Sequence, residues 1–230
     1  MPMDHFQRIY NNEAETYHRF IAAEDAHGEL AGHLDRVAMR ATNIVDIGTG
    51  TGRLAIQLSR SGKRVHGVDV APDMLRVAAA ALESTPGTWL LSKGDARRLP
   101  IEDHWADAAL AGWVFGHFTE FHPGAWRAHL DKAIDEMCRV VIPGGVAIII
   151  DTLGTAVNQP AAPTPLLAEY HSHIEARGFS KTILHTDYRF ESVSESIEML
   201  DWFFGLGKWA ERHNDPVIPE FTGWWERSIG

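Results

Sequence analysis

The chain has 230 residues, 45% of them apolar and 23% charged, and a formal net charge of −10 at pH 7. This composition is that of an ordinary globular protein with enough apolar material for a core, in a single domain. The acidic balance and the lack of a Lys and Arg cluster exclude nucleic acid and anionic membrane surfaces as expected partners, because both are bound by basic residues.

The single cysteine, Cys138, cannot form an intramolecular disulfide, and a lone thiol suits a reducing compartment. The first twenty residues carry charges throughout, without a signal-like apolar segment. The apolar runs, such as 146–150, are far too short to span a bilayer. We therefore expect a cytoplasmic protein, with the oligomeric state open between monomer and homodimer.

The N-terminal segment has aromatic and apolar residues at helical spacing from Phe6 to Ile21, which predicts one amphipathic helix, and a second is expected over 29–40. From residue 43 short apolar strands alternate with helices. This alternation predicts right-handed βαβ units in a doubly wound, Rossmann-like α/β sheet. The predicted strands are 43–47, 64–70, 89–91, 106–113 and 146–150, and the predicted helices are 53–60 (closed by Gly62), 72–83 and 129–140.

The pattern changes after Asp151, where a loop rich in Pro, Ala and Thr is expected. It is followed by a predicted helix 166–177, strand 181–190, helix 193–204 and last strand 219–227. Within one domain we therefore distinguish an N-terminal helical lid (1–42), a cofactor-binding core (43–151) and substrate-side elements (152–230).

The stretch 43–54 reads NIVDIGTGTGRL, an apolar strand that turns into alternating glycines. Glycine permits a tight turn and a close approach of backbone to ligand. The dinucleotide fingerprint G-x-G-x-x-G would need its third glycine at position 53, which is arginine. Arg53 therefore weighs against a nicotinamide cofactor.

Acidic residues follow the strands in order. Asp46 precedes the glycines, where it would repel a pyrophosphate and either accept a hydrogen bond from a ligand ammonium group or order its own turn. Asp69 lies roughly 20 residues further on, a spacing at which a carboxylate binds ribose hydroxyls in NAD and other adenosine cofactors. Asp95 and Ala96 end the third strand with a carboxylate and a backbone amide suited to an adenine edge.

These motifs together resemble one family. VDIGTGTG, GVDVAPDML, KGDARRLP, ADAALAGWVFGHF and RVVIPGGVAIII occur in this order. The chain thus resembles, over about residues 10–151, the class I S-adenosylmethionine-dependent methyltransferases of the small-molecule, ubiquinone/menaquinone-biosynthesis type (methyltransferase type 11 superfamily). The resemblance implies a seven-stranded, mostly parallel sheet with helices on both faces, whose antiparallel last strand, 219–227, pairs with 181–190. It also implies methyl transfer to a small molecule with release of S-adenosylhomocysteine.

The same resemblance implies a set of cofactor-binding residues. The methionine end would be held by Asp46, Gly48, Gly50 and Tyr17, the ribose by Asp69, and the adenine by Met74, Asp95 and Ala96. Trp113 would lie near the methionine portion. The complete implied set is Tyr17, Asp46, Gly48, Thr49, Gly50, Asp69, Val70, Met74, Asp95, Ala96 and Trp113. Tyr10 would face the substrate, unless the N-terminal aromatic residues only pack on the sheet.

His117, just after the fourth strand, is the candidate catalytic residue. A general base helps methyl transfer only when the acceptor is a hydroxyl, an acidic carbon or an ammonium group. Asp151 is a second candidate, and a histidine that only satisfies local backbone is the alternative. The aromatic residues of the C-terminal third indicate either core packing or a pocket for an apolar or aromatic acceptor.

One further site and two further functions are disfavoured by the sequence. His171, His173 and Glu175 are unsuited to a metal, because residues two apart on a helix do not share a face; i,i+4 pairs such as Glu169 with His173 are the simpler reading. An NAD(P)-dependent oxidoreductase is disfavoured by Arg53 and Asp46. A non-catalytic scaffold is disfavoured by the acidic residues at 46, 69 and 95, which it would not need.

Overall fold

A computed structural model describes residues 5–205, 207, 209 and 214–230 of the chain. Residues 1–4 therefore belong to the predicted lid but lie outside the described residues. The same holds for residues 206, 208 and 210–213 of the substrate-side elements. The helices are α1 (His5–Asn12), α2 (Ala14–Ala22), α3 (Glu29–Arg40), α4 (Arg53–Arg60), α5 (Pro72–Glu83), α6 (His117–Phe121), α7 (Trp126–Val140), α8 (Pro165–Ala176) and α9 (Val193–Phe204). The strands are β1 (Asn43–Ile47), β2 (Arg64–Asp69), β3 (Thr88–Lys93), β4 (Ala106–Gly112), β5 (Val141–Thr155), β6 (Ser180–His185), β7 (Tyr188–Arg189), β8 (Val217–Ile218) and β9 (Glu220–Ser228).

Seven strands form one sheet in the order β3-β2-β1-β4-β5-β9-β6. β9 is antiparallel to both of its neighbours, β5 and β6, whereas β3, β2, β1, β4 and β5 pair in parallel. The predicted fold class, including the antiparallel last strand and its partner, is confirmed. Because β1 and β4 are adjacent and the chain leaves them in opposite directions across the sheet, the loops that follow their carboxyl ends meet over one crevice.

Both faces of the sheet are covered by helices. On one face Leu30, Leu34 and Leu58 of α3 and α4 pack against Ile148 and Ile150 of β5. On the other face α7 and α8 pack against the alternate residues of the same strands, with Ile134, Ile174 and Ile149 in one buried cluster. Successive side chains of a strand point to opposite faces, so this alternation assigns Asp151 and Thr152 of β5 to faces, up to the shift in register between Thr152 and Thr155.

The N-terminal segment forms two helices, not the single predicted one. Glu13 separates α1 from α2 with φ −130° and ψ 30°, outside the helical region. Its carboxylate accepts a hydrogen bond from Trp202 Nε1 of α9 at 2.6 Å, so a tertiary contact holds the break. The bend sets the rings of Tyr10 and Tyr17 edge to face at 5.4 Å. Phe20 of α2 stacks on Phe203 of α9 at 4.6 Å, which joins the two ends of the chain over the edge of the sheet.

The C-terminal third differs most from prediction. β5 runs to Thr155 where a loop was expected after Asp151, because Thr152 and Thr155 pair with Thr222 and Glu220 of β9. The predicted strand 181–190 is divided, since β6 ends at His185 and β7 pairs instead with β8 in a small separate ribbon. The short helix α6 was not predicted.

Trp225 offers a test of the antiparallel strand. Its indole is fully buried between α8 and the sheet, and it is among the largest fully buried side chains of the described residues. Trp225→Ala is expected to lower the free energy of unfolding by about 3–5 kcal/mol, because it removes buried apolar area and leaves a cavity. Urea denaturation measures this, with Met39→Ala, at a 76% exposed position, as the control. A loss below about 1 kcal/mol would contradict the place of β9 in the core.

Candidate functional site

The glycine turn lies between the carboxyl end of β1 and the start of α4. Gly48 has φ +66°, and a Cβ there would lie 2.3 Å from Val114 Cγ2. Gly50 has φ +55°, and a Cβ at this position would lie 3.8 Å from Tyr17 Cε1. Both positions therefore require glycine, and the turn presents bare backbone to the adjacent cavities.

Asp46 is the carboxyl group beneath this turn. It is 1% exposed, and its Oδ2 accepts a hydrogen bond from Thr49 Oγ1 at 2.7 Å. Burial raises the pKa of Asp46 to about 7, against the lowering effect of Thr49. The side chain thus orders its own turn and also lines a cavity, so a ligand cation placed there would favour the ionised form.

Asp69 links the end of β2 to the glycine turn. Its Oδ2 accepts the Gly50 N–H at 2.9 Å and its Oδ1 accepts the Ala71 N–H at 2.8 Å. Burial raises the pKa of this carboxyl, while the backbone hydrogen bonds act against the increase. Each oxygen keeps a lone pair for a ligand hydroxyl, and Asp69 lines the smaller of two cavities.

The carboxylate of Asp95 already has a hydrogen-bond partner within the protein, which the sequence did not indicate. Arg97 binds both of its carboxylate oxygens through Nε and Nη2, and the Arg97 backbone N–H donates to Oδ1 at 2.8 Å. These hydrogen bonds from Arg97 lower the pKa of Asp95. Arg97 in turn contacts His129 Nδ1 at 2.7 Å, so the edge of the cavity near Asp95 carries a fixed cation as well as a carboxylate.

Two adjoining cavities open at the carboxyl edge of the sheet. The small cavity has a volume of about 340 Å³ and the large cavity about 600 Å³. Tyr10, Tyr17, Gly48, Gly50, Gly112, Trp113 and His117 line both. All twelve residues predicted for the site lie along these cavities: Asp69, Val70, Met74, Asp95 and Ala96 line the small one, Asp46 and Thr49 the large one, and Tyr17, Gly48, Gly50, Trp113 and His117 both.

Trp113 occupies the partition between the cavities. Its φ of +55° is unusual for a bulky residue and is fixed by a hydrogen bond from its N–H to the Ile150 carbonyl at 2.7 Å. The Arg53 guanidinium lies 4.4 Å from the centroid of the indole ring. Arg53 also forms an ion pair with the buried Glu24 at 2.6 Å. The arginine that replaces a fingerprint glycine thus supports an aromatic wall of the site.

His117 begins α6 at the rim of both cavities. Its Nε2 is hydrogen-bonded to the Tyr10 hydroxyl at 2.8 Å, and its Nδ1 lies 3.9 Å from Glu120 Oε2. Desolvation raises the pKa of Tyr10 well above its ordinary value, so the phenol stays protonated. Asp151, the second candidate, is 5% exposed at the same rim, and burial raises its pKa. An imidazole, a phenol and a carboxyl group here can accept or relay a proton.

The histidines of α8 contribute to packing. His171 is buried against Trp225, with ring centroids 4.7 Å apart. His173 binds Asp131 Oδ1 of α7 at 2.8 Å, and Glu169 binds Arg127, so the suggested contact between Glu169 and His173 is wrong. α8 faces α7 at these positions, and charges across the interface are nearer than those along the helix. In the described part of the chain, no group of three or more His, Cys, Asp and Glu residues is placed to hold a metal ion.

Sequence reasoning missed several residues of the large cavity. Glu24, Phe20, Thr152, Tyr188 and Glu220 all line it, from segments far apart in the chain. No motif or spacing marks these residues. They come together only because β5 pairs with β9 and α2 lies over this edge of the sheet. None of the helices in the described ranges 5–205 and 214–230 is both long and apolar enough to cross a membrane.

Comparisons with known proteins agree with this geometry. Residues 45–149 match the methyltransferase domain family Methyltransf_11. The demethylmenaquinone methyltransferases of Chlorobaculum tepidum and Tropheryma whipplei are 28% and 25% identical to the chain, covering 84% and 86% of it and 72% and 77% of the relatives. The structure of a Haemonchus contortus phosphoethanolamine N-methyltransferase, solved with S-adenosylhomocysteine, superimposes with a TM-score of 0.62 at 18% identity, covering 98% of this chain and 60% of that one.

The fold, the glycine turn and these relatives define an S-adenosylmethionine-dependent enzyme. The chain is a class I methyltransferase of the small-molecule type, which transfers the methyl group of S-adenosylmethionine to a small acceptor.

Proposed function

We propose that S-adenosylmethionine lies along both cavities, with its nucleoside in the small cavity and its methionine end at the glycine turn. The carboxyl of Asp69, fixed by two backbone N–H groups at the end of β2, is the observation that carries this orientation. When bound, the cofactor supplies an electrophilic methyl group on a sulfonium. The chain's own residues then bind, orient and exclude water, which accounts for much of the acceleration of such a displacement.

Individual roles follow from the positions of the side chains. Asp46 and Tyr17 contact the amino-acid end, Asp69 the ribose, and Met74 with Val70 the adenine face. The backbone near Asp95 and Ala96 borders the adenine edge, with Arg97 beside it. Gly48, Thr49 and Gly50 leave room for the ligand, and Trp113 separates the nucleoside from the acceptor.

The proposed acceptor is an apolar or aromatic small molecule bound in the large cavity. Rings of Phe20, Phe203, Phe204 and Tyr188 line this space. The relatives named as demethylmenaquinone methyltransferases support a ring compound of the naphthoquinol kind, at 25–28% identity over most of the chain. Methylation then occurs where the two cavities join, beside Trp113 and His117.

His117 is the proposed general base. It borders both cavities, so its imidazole lies where the acceptor meets the methyl group. The Tyr10 hydroxyl and Glu120 hold the ring between them, which fixes the direction of its nitrogens. Proton removal from a hydroxyl or an acidic carbon would raise its nucleophilicity during transfer.

The arrangement of the chain is part of the same proposal. Residues 1–42 act as a lid, 43–151 as the cofactor-binding core and 152–230 as the acceptor side of one domain. The bond between Tyr10 and His117 supports the lid, because it fastens α1 to the rim. A cytoplasmic location rests on the lone, unpaired Cys138.

Asp69→Asn tests the assignment of the cofactor. The change removes the ionised acceptor that two ribose hydroxyls would share, so the Kd for S-adenosylmethionine and S-adenosylhomocysteine is expected to rise about 10- to 100-fold. Isothermal titration calorimetry measures this, with Asp73→Asn, four residues further along the chain on α5, as the control. NAD is titrated in parallel. Tight binding of NAD without the sulfur nucleosides, or an unchanged Kd in Asp69→Asn, contradicts the proposal.

His117→Ala tests the general base. We expect kcat to fall about 100- to 10,000-fold with little change in the Kd for S-adenosylmethionine, because a base acts on the acceptor and not on the cofactor. Transfer of labelled methyl to a demethylmenaquinol is the assay, and the exposed His27→Ala is the control. A wild-type kcat in the His117→Ala variant would contradict the general base. The rim would then contribute only by aligning the acceptor with the methyl group.

A further inference from the structure

The floor of the large cavity carries polar groups that the methyl-transfer site does not use. Glu24, Arg53, Thr152 and Glu220 line it together with the aromatic side chains. Two of their atoms, Arg53 Nη2 and Glu220 Oε2, are buried without a hydrogen-bond partner among the residues that the structure describes. Buried polar atoms without partners are costly, so a pair of them on residues that line one cavity indicates a ligand that satisfies both.

Arg53 is fixed in place by groups other than a ligand. Glu24 binds its Nη1 at 2.6 Å, and the Trp113 ring covers the guanidinium at 4.4 Å. Glu24 is itself held by Thr186 Oγ1 at 3.1 Å. With Nη1 paired and the plane of the group set by the indole, Nη2 is a donor in a fixed position that has no acceptor in the described part of the chain.

Glu220 is equally constrained, at 2% exposure. The Thr152 hydroxyl donates to its Oε1 at 2.8 Å, and Asp187 accepts from its backbone N–H at 3.0 Å. When the carboxyl group is neutral, Oε1 acts as the carbonyl oxygen and Oε2 carries the proton. Oε2 is then a donor, as Arg53 Nη2 is, and both atoms belong to residues that line the large cavity.

The charges around Glu220 favour this neutral form. Its pKa is raised to about 8, because burial and the charge of the nearby Glu24 outweigh the lowering effects of the Thr155 and Thr152 hydroxyls and of the Arg53 charge. The charged or titratable groups packed around it are Glu24, Arg53, Tyr188 and Asp187. At pH 7 the carboxyl group is therefore mostly protonated.

We propose that Arg53 Nη2 and Glu220 Oε2 together bind an uncharged oxygen atom of the methyl acceptor, a carbonyl or hydroxyl oxygen, and so select oxygenated ring compounds over hydrocarbons and amines. The inference rests on the proposed function, because it takes the large cavity to be the acceptor site. Two donors on residues that line one cavity fit an oxygen with lone pairs and reject an ammonium group, which has none.

The position of the pair also separates this contact from the cofactor. Thr152, Thr222 and Glu220 belong to the face of the sheet covered by α3 and α4, because they continue the alternation of Ile150 and Trp224. Asp151 belongs to the opposite face, packed beside Gly116 of the His117 loop. An acceptor lying across the sheet edge would thus have its reacting end at His117 and its oxygen at Glu220.

The test uses three probes with one carbon skeleton: 1-tetralone, with a carbonyl oxygen; tetralin, with no heteroatom; and 1-aminotetralin, with an ammonium group. Calorimetric titration is done at pH 7 with saturating S-adenosylhomocysteine. We expect the ketone to bind about 10-fold more tightly than the hydrocarbon, the size of one or two net hydrogen bonds, and the ammonium compound more weakly than either.

Two variants and a pH series assign the preference to Glu220. Glu220→Leu is expected to remove most of the ketone's advantage, and Glu220→Gln to keep it, because the amide N–H₂ still donates. Raising the pH from 7 to 9 ionises the wild-type carboxyl, which then repels the ketone oxygen, so its affinity falls through about pH 8. The ketone itself does not titrate, and the Gln variant should show no such fall. Glu226→Gln, an exposed position on the same strand, is the control and should behave as wild type.

Equal affinities of the wild type for ketone and hydrocarbon, a preference for the ammonium compound, or the same pH dependence in Glu220→Gln as in wild type would each overturn the inference. If Glu220→Leu fails to fold, the comparison of Glu220→Gln with wild type across pH decides it. Binding of S-adenosylhomocysteine to the same samples reports on the cofactor site alone. If the nucleoside binds and the ketone is not preferred, only this inference fails; if the nucleoside does not bind, the proposed function fails with it.

Discussion

Carboxyl groups held out of water at the ends of parallel strands are the constraint on which the site depends. Asp46 is the last residue but one of β1, Asp69 is the last residue of β2, and Asp151 lies on β5 at the same edge. Burial raises the pKa of all three, and within the described ranges none forms an ion pair with a Lys or Arg side chain. A ligand that brings hydroxyl or cationic groups to this edge would give these carboxyl groups hydrogen-bond or ionic partners. Ligand binding and the ionisation of the carboxyl groups are therefore coupled.

The glycine turn converts this constraint into a cleft. Gly48 must pass beneath Val114, and Gly50 must donate its N–H to Asp69. These two contacts connect the loops after β1, β2 and β4 into one wall. The aromatic side chains of α1, α2 and α9 then close the other side, so that a single space contains both the expected cofactor position and the acceptor position.

Arg53 explains how the same turn departs from the dinucleotide type. A glycine at this position would allow close helix–strand packing around a pyrophosphate. Arginine instead extends away from the turn to Glu24 and supports Trp113. The substitution therefore removes a dinucleotide feature and builds the floor of the large cavity, two effects of one side chain.

The sequence predicted the elements whose boundaries are determined locally. β1, α3, α4, α5 and α9 were expected within the residues that they occupy, because apolar spacing, Pro72 at a helix start and the glycine turn are local signals. The twelve residues predicted for the site line the two cavities, because strand ends with parallel pairing share one edge, and their roles stay predictions.

The parts that were missed depend on contacts between distant segments. Glu13 breaks the N-terminal helix through Trp202, and β5 extends because β9 pairs with it. Glu220 has an ordinary sequence context, and only its place opposite Thr155 buries it beside Glu24. A carboxyl group that matters because of its neighbours leaves no signal in spacing or periodicity.

We propose that the carboxyl edge holds S-adenosylmethionine with its ribose at Asp69 and its amino-acid end at Asp46, leaving the rest of the large cavity to the acceptor. A crystal structure of the chain with S-adenosylhomocysteine tests this most directly. We expect ribose hydroxyls within hydrogen-bonding distance of Asp69, the adenine beside Met74, and no contact of the cofactor with Arg53 or Glu220. A nucleoside in the large cavity, or an adenine beside Asp46, would contradict it.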